Sequence, residues 1–302
     1  MPITRSLEDL PRANRPDGNT PAVNNFVAEA LAKAWYDDYL ARGEDELGLA
    51  IPEAGPYRAS YASTRCDRAL WYKLTGVHAS NPPGIADAWR FGIGTLIHEG
   101  LQPVVEQIFP DSVAEPLVDL RPMGLPGSAH ADQIINHDGV KTLVEYKSIG
   151  GFQFKIMATG FKGPATGPRY GAVVQAAIIA KATGCDRIVI AYLSLENVSA
   201  GMASSYASSE AGRFAAEWHY TVAEMDELIK YEVERVNWVL AQTSPPPREI
   251  HDPEYPKGAV IQAPLQDRAP WTIAEDGVVL DTGTTWMCGY CDFRDQCKED
   301  GA

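Results

Sequence analysis

The chain lacks any run of about 18 apolar residues, which excludes a membrane-spanning helix of ordinary kind. Its first stretch, MPITRSLEDLPRANRPDGN, contains no apolar core of the sort a secretory signal requires, so the expectation is a chain kept in the cytoplasm. Cysteine is scarce, five among 302 residues. That is too few for a disulfide scaffold, and in a reducing compartment such cysteines read as thiols or metal ligands. Positive charge is scarce too: 26 Lys and Arg against 40 Asp and Glu, a formal net charge of −14, which excludes a uniformly basic surface. One further absence is local. From Tyr146 to Cys185 there is no Asp or Glu, and that stretch carries Lys147, Lys155, Lys162, Arg169 and Lys181. A patch of this kind can hold phosphate groups while the rest of the surface stays acidic.

What is present is 45% hydrophobic, enough for one large domain with appendages. Residues 1–20, polar and with three prolines, read as loose. The region 21–110 reads as helical. AVNNFVAEALAKAWYDDYLAR, over 22–42, places Phe26, Ala30, Leu31, Trp35 and Leu40 at helical spacing. Ser63 or Thr64 can cap a helix ending near Gly76, and a further helix runs from about Ala86 to Ile108 with His98 upon it. A core over 111–243 follows. VAEPLVDL reads as one strand and SAHADQIINHDG as a second, turning at Asp138-Gly139 into VKTLVEYKSI as a third. An Asp-Gly pair between apolar runs is a strong hairpin signal. GAVVQAAIIAKATG reads as a helix closed by Gly184, DRIVIAYLSLE as a strand, and VAEMDELIKYEVERVNWVLAQ as a long helix stopped by Pro245-Pro246-Pro247. Residues 244–302 form a proline-rich tail ending in cysteines.

Glu145 and Lys147 lie two apart on the third strand and share a face. A hairpin about Asp138-Gly139 brings Asp132 opposite Glu145. Two carboxylates converging with a lysine suit metal-assisted phosphodiester cleavage. The carboxylates hold a hard cation such as Mg²⁺ or Mn²⁺, and the lysine orients a water or steadies charge on the phosphate. His98, just upstream, can add an imidazole donor, which suits Mn²⁺ or Fe²⁺ better than Mg²⁺. Gln175 is a polar residue inside an apolar helix, free to bond a ligand, a water or a core group. Phe152, Phe154 and Phe161 interleave with the basic residues of the glycine-rich stretch after the third strand and can stack on bases, or else belong to the core.

The tail reads Cys288-x2-Cys291-x5-Cys297, one thiol short of four, and Cys66 can complete the set if the two ends of the chain meet. Thiolate-only ligation suits zinc or an iron–sulfur cluster. Zinc ribbons use two paired knuckles and this chain has one, which favours a 4Fe-4S cluster. Cys185, at a helix-to-strand junction, reads as an ordinary buried thiol.

Taken together, Cys66, His98, Asp132, Glu145-x-Lys147, Gln175 and Cys288/Cys291/Cys297 occur in the order that RecB-like PD-(D/E)xK nucleases show. The chain resembles that family, including AddB nuclease domains, CRISPR-associated exonucleases and phage-encoded relatives, from about residue 60 to 298. The resemblance implies a restriction-endonuclease-like α/β core with a central mixed sheet flanked by helices. It implies metal ligation by His98, Asp132, Glu145 and the carbonyl of Tyr146, with Lys147 as the catalytic lysine. Gln175 would contact DNA or position Lys147, and the four cysteines would hold the cluster. The implied activity is a DNA exonuclease acting on single-stranded ends in recombination, repair or processing. DNA would run over Lys155, Lys162, Arg169 and Tyr170, and the partner would be a second copy, a helicase or an integrase. A non-catalytic iron–sulfur or zinc protein that binds DNA on the same fold is the alternative. The family's helix motif is Gln-x3-Tyr, and position 179 here is isoleucine; Asp132 follows His130-Ala131 rather than Gly-x.

Overall fold

The computed structural model describes residues 56–159, 167–195, 215–247, 249–251, 260–261, 271–273, 278–280 and 291–300. The helix expected over 22–42 lies outside them, as do Lys162, Phe161 and Cys288. In chain order the elements are β1 (Tyr57–Arg58), a 3₁₀ turn (Ala59–Ser63), α1 (Asp67–Leu74), α2 (Ile85–Ile108), β2 (Val113–Ala114), β3 (Leu117–Asp119), β4 (Gly127–His130), β5 (Gln133–His137) and β6 (Val140–Ile149). Then come α3 (Gly151–Thr159), α4 (Tyr170–Thr183), β7 (Arg187–Ser194), β8 (Ala215–Thr221), α5 (Asp226–Leu240), the tail strands β9 (Glu249–His251), β10 (Val260–Ile261), β11 (Trp271–Ile273) and β12 (Val278–Leu280), and α6 (Arg294–Glu299).

The main sheet has the order β2-β5-β6-β7-β8, with β6 and β7 parallel and every other neighbour antiparallel. This is the mixed α/β architecture expected of a restriction-endonuclease-like core. A second mixed sheet, β1-β4-β3, pairs β1 with β4 in parallel, and the four tail strands form a small antiparallel sheet. The hairpin forms where the Asp-Gly pair predicts it. Asp138 and Gly139 both take left-handed backbone, φ 56° and 75°, the requirement of a tight two-residue turn.

The helices cover both faces of the sheet. On one side α4 and α5 bury Leu143, Ile149, Ile188, Ile190 and Tyr192. Helix α4 is sunk among other elements: Ala172, Val174, Ala176, Ala177, Ile178, Ile179 and Ala180 are all buried, and Gly184 closes it in the left-handed conformation. A side chain at Gly171 would meet the backbone of Ser63 at 2.7 Å, so the 3₁₀ turn presses directly on the first turn of α4. On the opposite face Leu101, Val105 and Phe109, along and just past α2, cover Ile135, Val144, Tyr146 and Ala191. Burying a side chain of the Leu or Ile class contributes roughly 1.5–3 kcal/mol.

Two expected strands are each broken in two. VAEPLVDL bends at Glu115, whose φ is 46°, and SAHADQIINHDG bends at Ala131-Asp132. The breaks lie side by side: Glu115 N–H donates to the carbonyl of Asp132 at 3.2 Å, and Ala131 N–H to that of Pro116 at 3.2 Å. The two strands therefore cross together from the three-stranded sheet into the main one. Pro116, which has no N–H for a ladder, sits at the crossing. The first helix also starts later than expected. Residues 59–63 form the 3₁₀ turn, and Cys66, not Ser63 or Thr64, is the N-cap of α1. The Thr64 carbonyl accepts from Arg235 at 2.8 Å, and Arg65 and Asp67 are tied into a buried ion network with Glu232 and Arg235, so the segment before the helix is held by α5. Helix α3 and strand β8 are additions. Phe154, Lys155 and Met157 are buried on α3, so Lys155 does not stand in a glycine-rich loop as expected. No helix among the described residues is long and apolar enough to cross a membrane.

Candidate active site

The β5–β6 ladder begins at Gln133 opposite Val144, so β6 runs on from Glu145 past the end of its neighbour. Asp132 occupies the break between β4 and β5. Its Oδ2 accepts the N–H of Tyr146 at 2.8 Å, in the place of the strand that has turned away. Sequence reasoning placed Asp132 within a strand. The structure places it just outside one and still opposite Glu145, because the ladder register carries through the break.

Glu145 is fully buried. Its Oε1 accepts from Lys147 Nζ at 2.6 Å and from Gln175 Nε2 at 2.7 Å. Its Oε2 is buried and has no hydrogen-bond partner. A buried carboxylate oxygen left without a donor or cation costs several kcal/mol, which makes it an incomplete site rather than a finished one. Gln175 therefore reaches Glu145 directly, from the middle of α4.

His98, on α2, approaches from the other face of the sheet. Its Nδ1 lies 3.6 Å from Asp132 Oδ1, its ring meets that of Tyr146 edge-on at 5.9 Å, and it is hydrogen-bonded to the Tyr146 backbone. Burial depresses the pKa of His98, and the Lys147 charge adds to this, which favours the neutral imidazole that ligation needs. Burial, then the Glu145 charge, pushes Asp132 up to about 8. Burial also works against the Lys147 ammonium, but the Glu145 and Asp132 carboxylates outweigh it and hold the lysine pKa above its usual value. The Asp132 carboxyl, whose proton affinity the Glu145 charge raises, beside the bare Glu145 Oε2, forms a site short of positive charge.

Among the described residues, no group of three or more His, Cys, Asp or Glu side chains is gathered that could hold a metal ion. The donor chemistry at this site is nevertheless that of a hard cation: the bare Oε2 of Glu145, the carboxylate of Asp132, the imidazole of His98 and the backbone of Tyr146.

The expected DNA-contacting residues do not form one surface. Lys155 is buried on α3. Tyr170 is half-buried, with the Arg65 guanidinium 4.5 Å from its ring centre. Arg169 is exposed at the start of α4, and its N–H donates to the hydroxyl of Tyr192 at 3.4 Å. Lys147 is paired with Glu145, and Lys181, at the far end of α4, is paired with Asp226 at 2.9 Å. Two of the stretch's five basic residues are thus paired with acids, Lys147 with the neighbouring Glu145 and Lys181 with Asp226. Tyr192, level with Lys147 on the neighbouring strand, was missed; an apolar strand gives no signal for one tyrosine over another.

The ends of the described chain do meet. Cys66, Cys291 and Cys297 pack around Ala69, Tyr72 and Phe293. Arg68 Nη1 lies 3.8 Å from Cys297 Sγ, and Phe293 N–H donates to Cys291 Sγ at 3.4 Å. Around them Tyr72 donates to Asp300 at 2.6 Å, Asn81 to Asp295 at 2.9 Å, and Lys73 pairs with Asp292 at 3.2 Å. Cys185 lies apart in the main core, where the Thr183 hydroxyl is 3.2 Å from its sulfur.

No protein-family model and no curated protein sequence matches the chain. Among solved structures, it is similar to SSO0001, at 15% identity and a TM-score of 0.46 over 91% of this chain and 98% of that one. It is also similar to an alkaline exonuclease, LHK-Exo, from Laribacter hongkongensis, at 16% identity and a TM-score of 0.40 over 63% of this chain and 88% of that one. The same exonuclease in complex with dAMP gives 16% and 0.38 over 62% and 87%. Likenesses at this level decide nothing about activity, which rests on the site.

Proposed function

We propose that the protein is a divalent-metal-dependent nuclease of the RecB-like PD-(D/E)xK kind, hydrolysing DNA phosphodiesters from single-stranded ends. The observation that carries this reading is Glu145: one oxygen is held by Lys147 and Gln175, and the other is buried without a donor beside Asp132. That is the arrangement of a carboxylate held in place for a cation. Asp132, Glu145 and His98, with the carbonyl of Tyr146, would hold it. Bound Mg²⁺ or Mn²⁺ supplies a Lewis acid for the phosphate and lowers the pKa of a water. Lys147, with its ammonium held charged by two carboxylates, steadies negative charge on the phosphate; Gln175 fixes the Glu145 carboxylate so that its free oxygen keeps one orientation.

The second part of the reading concerns the thiols. Cys66, Cys291 and Cys297, with Cys288, would hold a 4Fe-4S cluster that fastens the tail to α1. The gathering of three of these thiols around Tyr72 and Phe293 supports it. Zinc could use the same thiolates.

The test is an assay of the purified full chain on single- and double-stranded DNA with Mg²⁺, Mn²⁺ or chelator. Cation-dependent cleavage that Asp132→Ala, Glu145→Ala and Lys147→Ala each abolish, with the fold retained, is the expected result. Cleavage in chelator, or no cleavage under any condition, would overturn the nuclease reading. Anaerobic preparation followed by iron, sulfide and zinc analysis decides the thiol site: iron and sulfide near four per chain are expected, and a zinc-loaded, iron-free protein excludes the cluster.

A further inference from the structure

We infer that Glu115, gripped by Gln102, is a positioning residue that holds His98 against Asp132 and so sets how tightly, and with what preference among divalent cations, the site binds its metal. This rests on the metal-dependent reading above.

The residues close a ring. His98 and Gln102 stand one turn apart on the same side of α2. Gln102 Nε2 donates to Glu115 Oε1 at 2.8 Å. Glu115 N–H donates to the carbonyl of Asp132 at 3.2 Å, and Asp132 Oδ1 lies 3.6 Å from His98 Nδ1. The helix that carries the imidazole is thus tied, through Glu115, to the backbone break that carries the carboxylate. Burial is the main influence on the protonation of His98 and of Asp132, and the Glu115 charge is felt by both, which places that carboxylate beside the pair.

Helix α2 lacks a backbone bond at this turn. Pro103 lies inside the helix and has no N–H, so the bond that would close the turn onto the Glu99 carbonyl is missing. That turn runs from the residue after His98 to the residue after Gln102. Leu101 and Val105 pack α2 onto the sheet, but apolar contact is non-directional and leaves the helix free to turn slightly about its axis. A hydrogen bond from Gln102 to a residue anchored on the Asp132 backbone removes that freedom.

The backbone at Glu115 is strained. Its φ is 46°, and among the described residues Asp138 alone shares a positive φ outside glycine, in the tight turn that requires it. Left-handed backbone favours glycine, and a residue before proline is ordinarily extended. Glycine would serve the bend better than glutamate. What the glutamate side chain adds is the bond to Gln102, and strain of this kind persists where the surroundings hold it in place.

The test titrates Mn²⁺ and Mg²⁺ by calorimetry into the anaerobically prepared full chain, dialysed free of divalent cations. Asp132→Ala, which should bind neither, locates the signal. Gln102→Ala and Glu115→Ala should each weaken Mn²⁺ binding about 10- to 100-fold. Mg²⁺ binding should fall less, because an imidazole donor counts for more with Mn²⁺. Glu115→Gly, which takes left-handed backbone readily, should keep the fold and lose the same affinity. Glu115→Gln, which can still accept from Gln102, should retain most of it. Added to His98→Ala, Gln102→Ala should cause no further loss, since the tie acts through the imidazole. Wild-type affinity in Gln102→Ala and Glu115→Ala would overturn the tie, as would losses that simply add in the double variant. An equal loss in Glu115→Gln and Glu115→Ala would overturn it too, by showing that the charge acts and not the bond. If wild type binds metal and cleaves DNA while these variants match it, the positioning role alone fails. If wild type neither binds metal nor cleaves, the nuclease reading falls with it.

Discussion

Gln175 Nε2 and Glu145 Oε1 meet at 2.7 Å across the interface between α4 and the main sheet, on the oxygen that Lys147 also holds. The amide comes from the one polar side chain in a run of buried alanine, valine and isoleucine. Its partner is a carboxylate that cannot reach water. Gln175→Ala should therefore lower activity about 10- to 100-fold through kcat, with the melting temperature little changed. Steady-state kinetics on a single-stranded substrate would show it. A loss confined to KM would mean that Gln175 touches the strand instead of orienting Glu145.

Asp132 gives a pH dependence of stability in the metal-free protein. Its folded pKa is pushed up to about 8 by burial and by Glu145, against roughly 3.9 in the unfolded chain. Between those values the folded state binds the proton and the unfolded state does not. Stability from this group is therefore full below about pH 4 and falls as pH rises toward 8. In chelator, the melting temperature should drop from pH 5 to pH 8, and Asp132→Asn should flatten that drop. Added Mg²⁺ or Mn²⁺ should offset it at pH 8, because a cation favours the charged carboxylate. A metal-free profile in which Asp132→Asn makes no difference would contradict the raised pKa.

Arg65, Asp67, Glu232 and Arg235 form a buried ion network, with Arg235 Nε 2.7 Å from Asp67, Arg235 Nη1 3.1 Å from Glu232, and Arg65 3.3 Å from Glu232. Removing the shared acid leaves two guanidinium groups facing each other in the interior. Glu232→Ala should cost about 3–5 kcal/mol, and Glu232→Gln less. Urea unfolding measures this directly; a cost below about 1 kcal/mol would show that water reaches the network.

Asn81 holds the tail by two side-chain bonds, Nδ2 to Asp295 at 2.9 Å and Oδ1 from the Asp295 N–H at 3.0 Å. Asn81→Ala should cost roughly 1–3 kcal/mol and speed the release of metal from the thiol site to a chelator. Cys185→Ser, in the separate main core, should leave metal content unchanged. An unaltered release rate in Asn81→Ala would mean that the metal site does not depend on the docking of α6.

Much of the fold was legible in sequence where the determinants are local. The Asp138-Gly139 turn, the strand over 140–149, the helix over 85–108 and the glycine cap of α4 each follow from residues within a few positions of one another. The site's composition was legible for the same reason. A two-residue spacing puts Glu145 and Lys147 on one face of any strand, and the turn sets Asp132 opposite them in any hairpin. Only tertiary structure decided the rest. The paired breaks at Glu115 and Asp132 exist because two strands change sheets together, and neither strand alone marks the crossing. Burial separated Phe152 from Phe154 and Lys155 from the surface. A linear count of charge could not foresee that Asp226 would neutralise Lys181, because that ion pair spans 45 residues of sequence, and only folding determines which charges remain facing water.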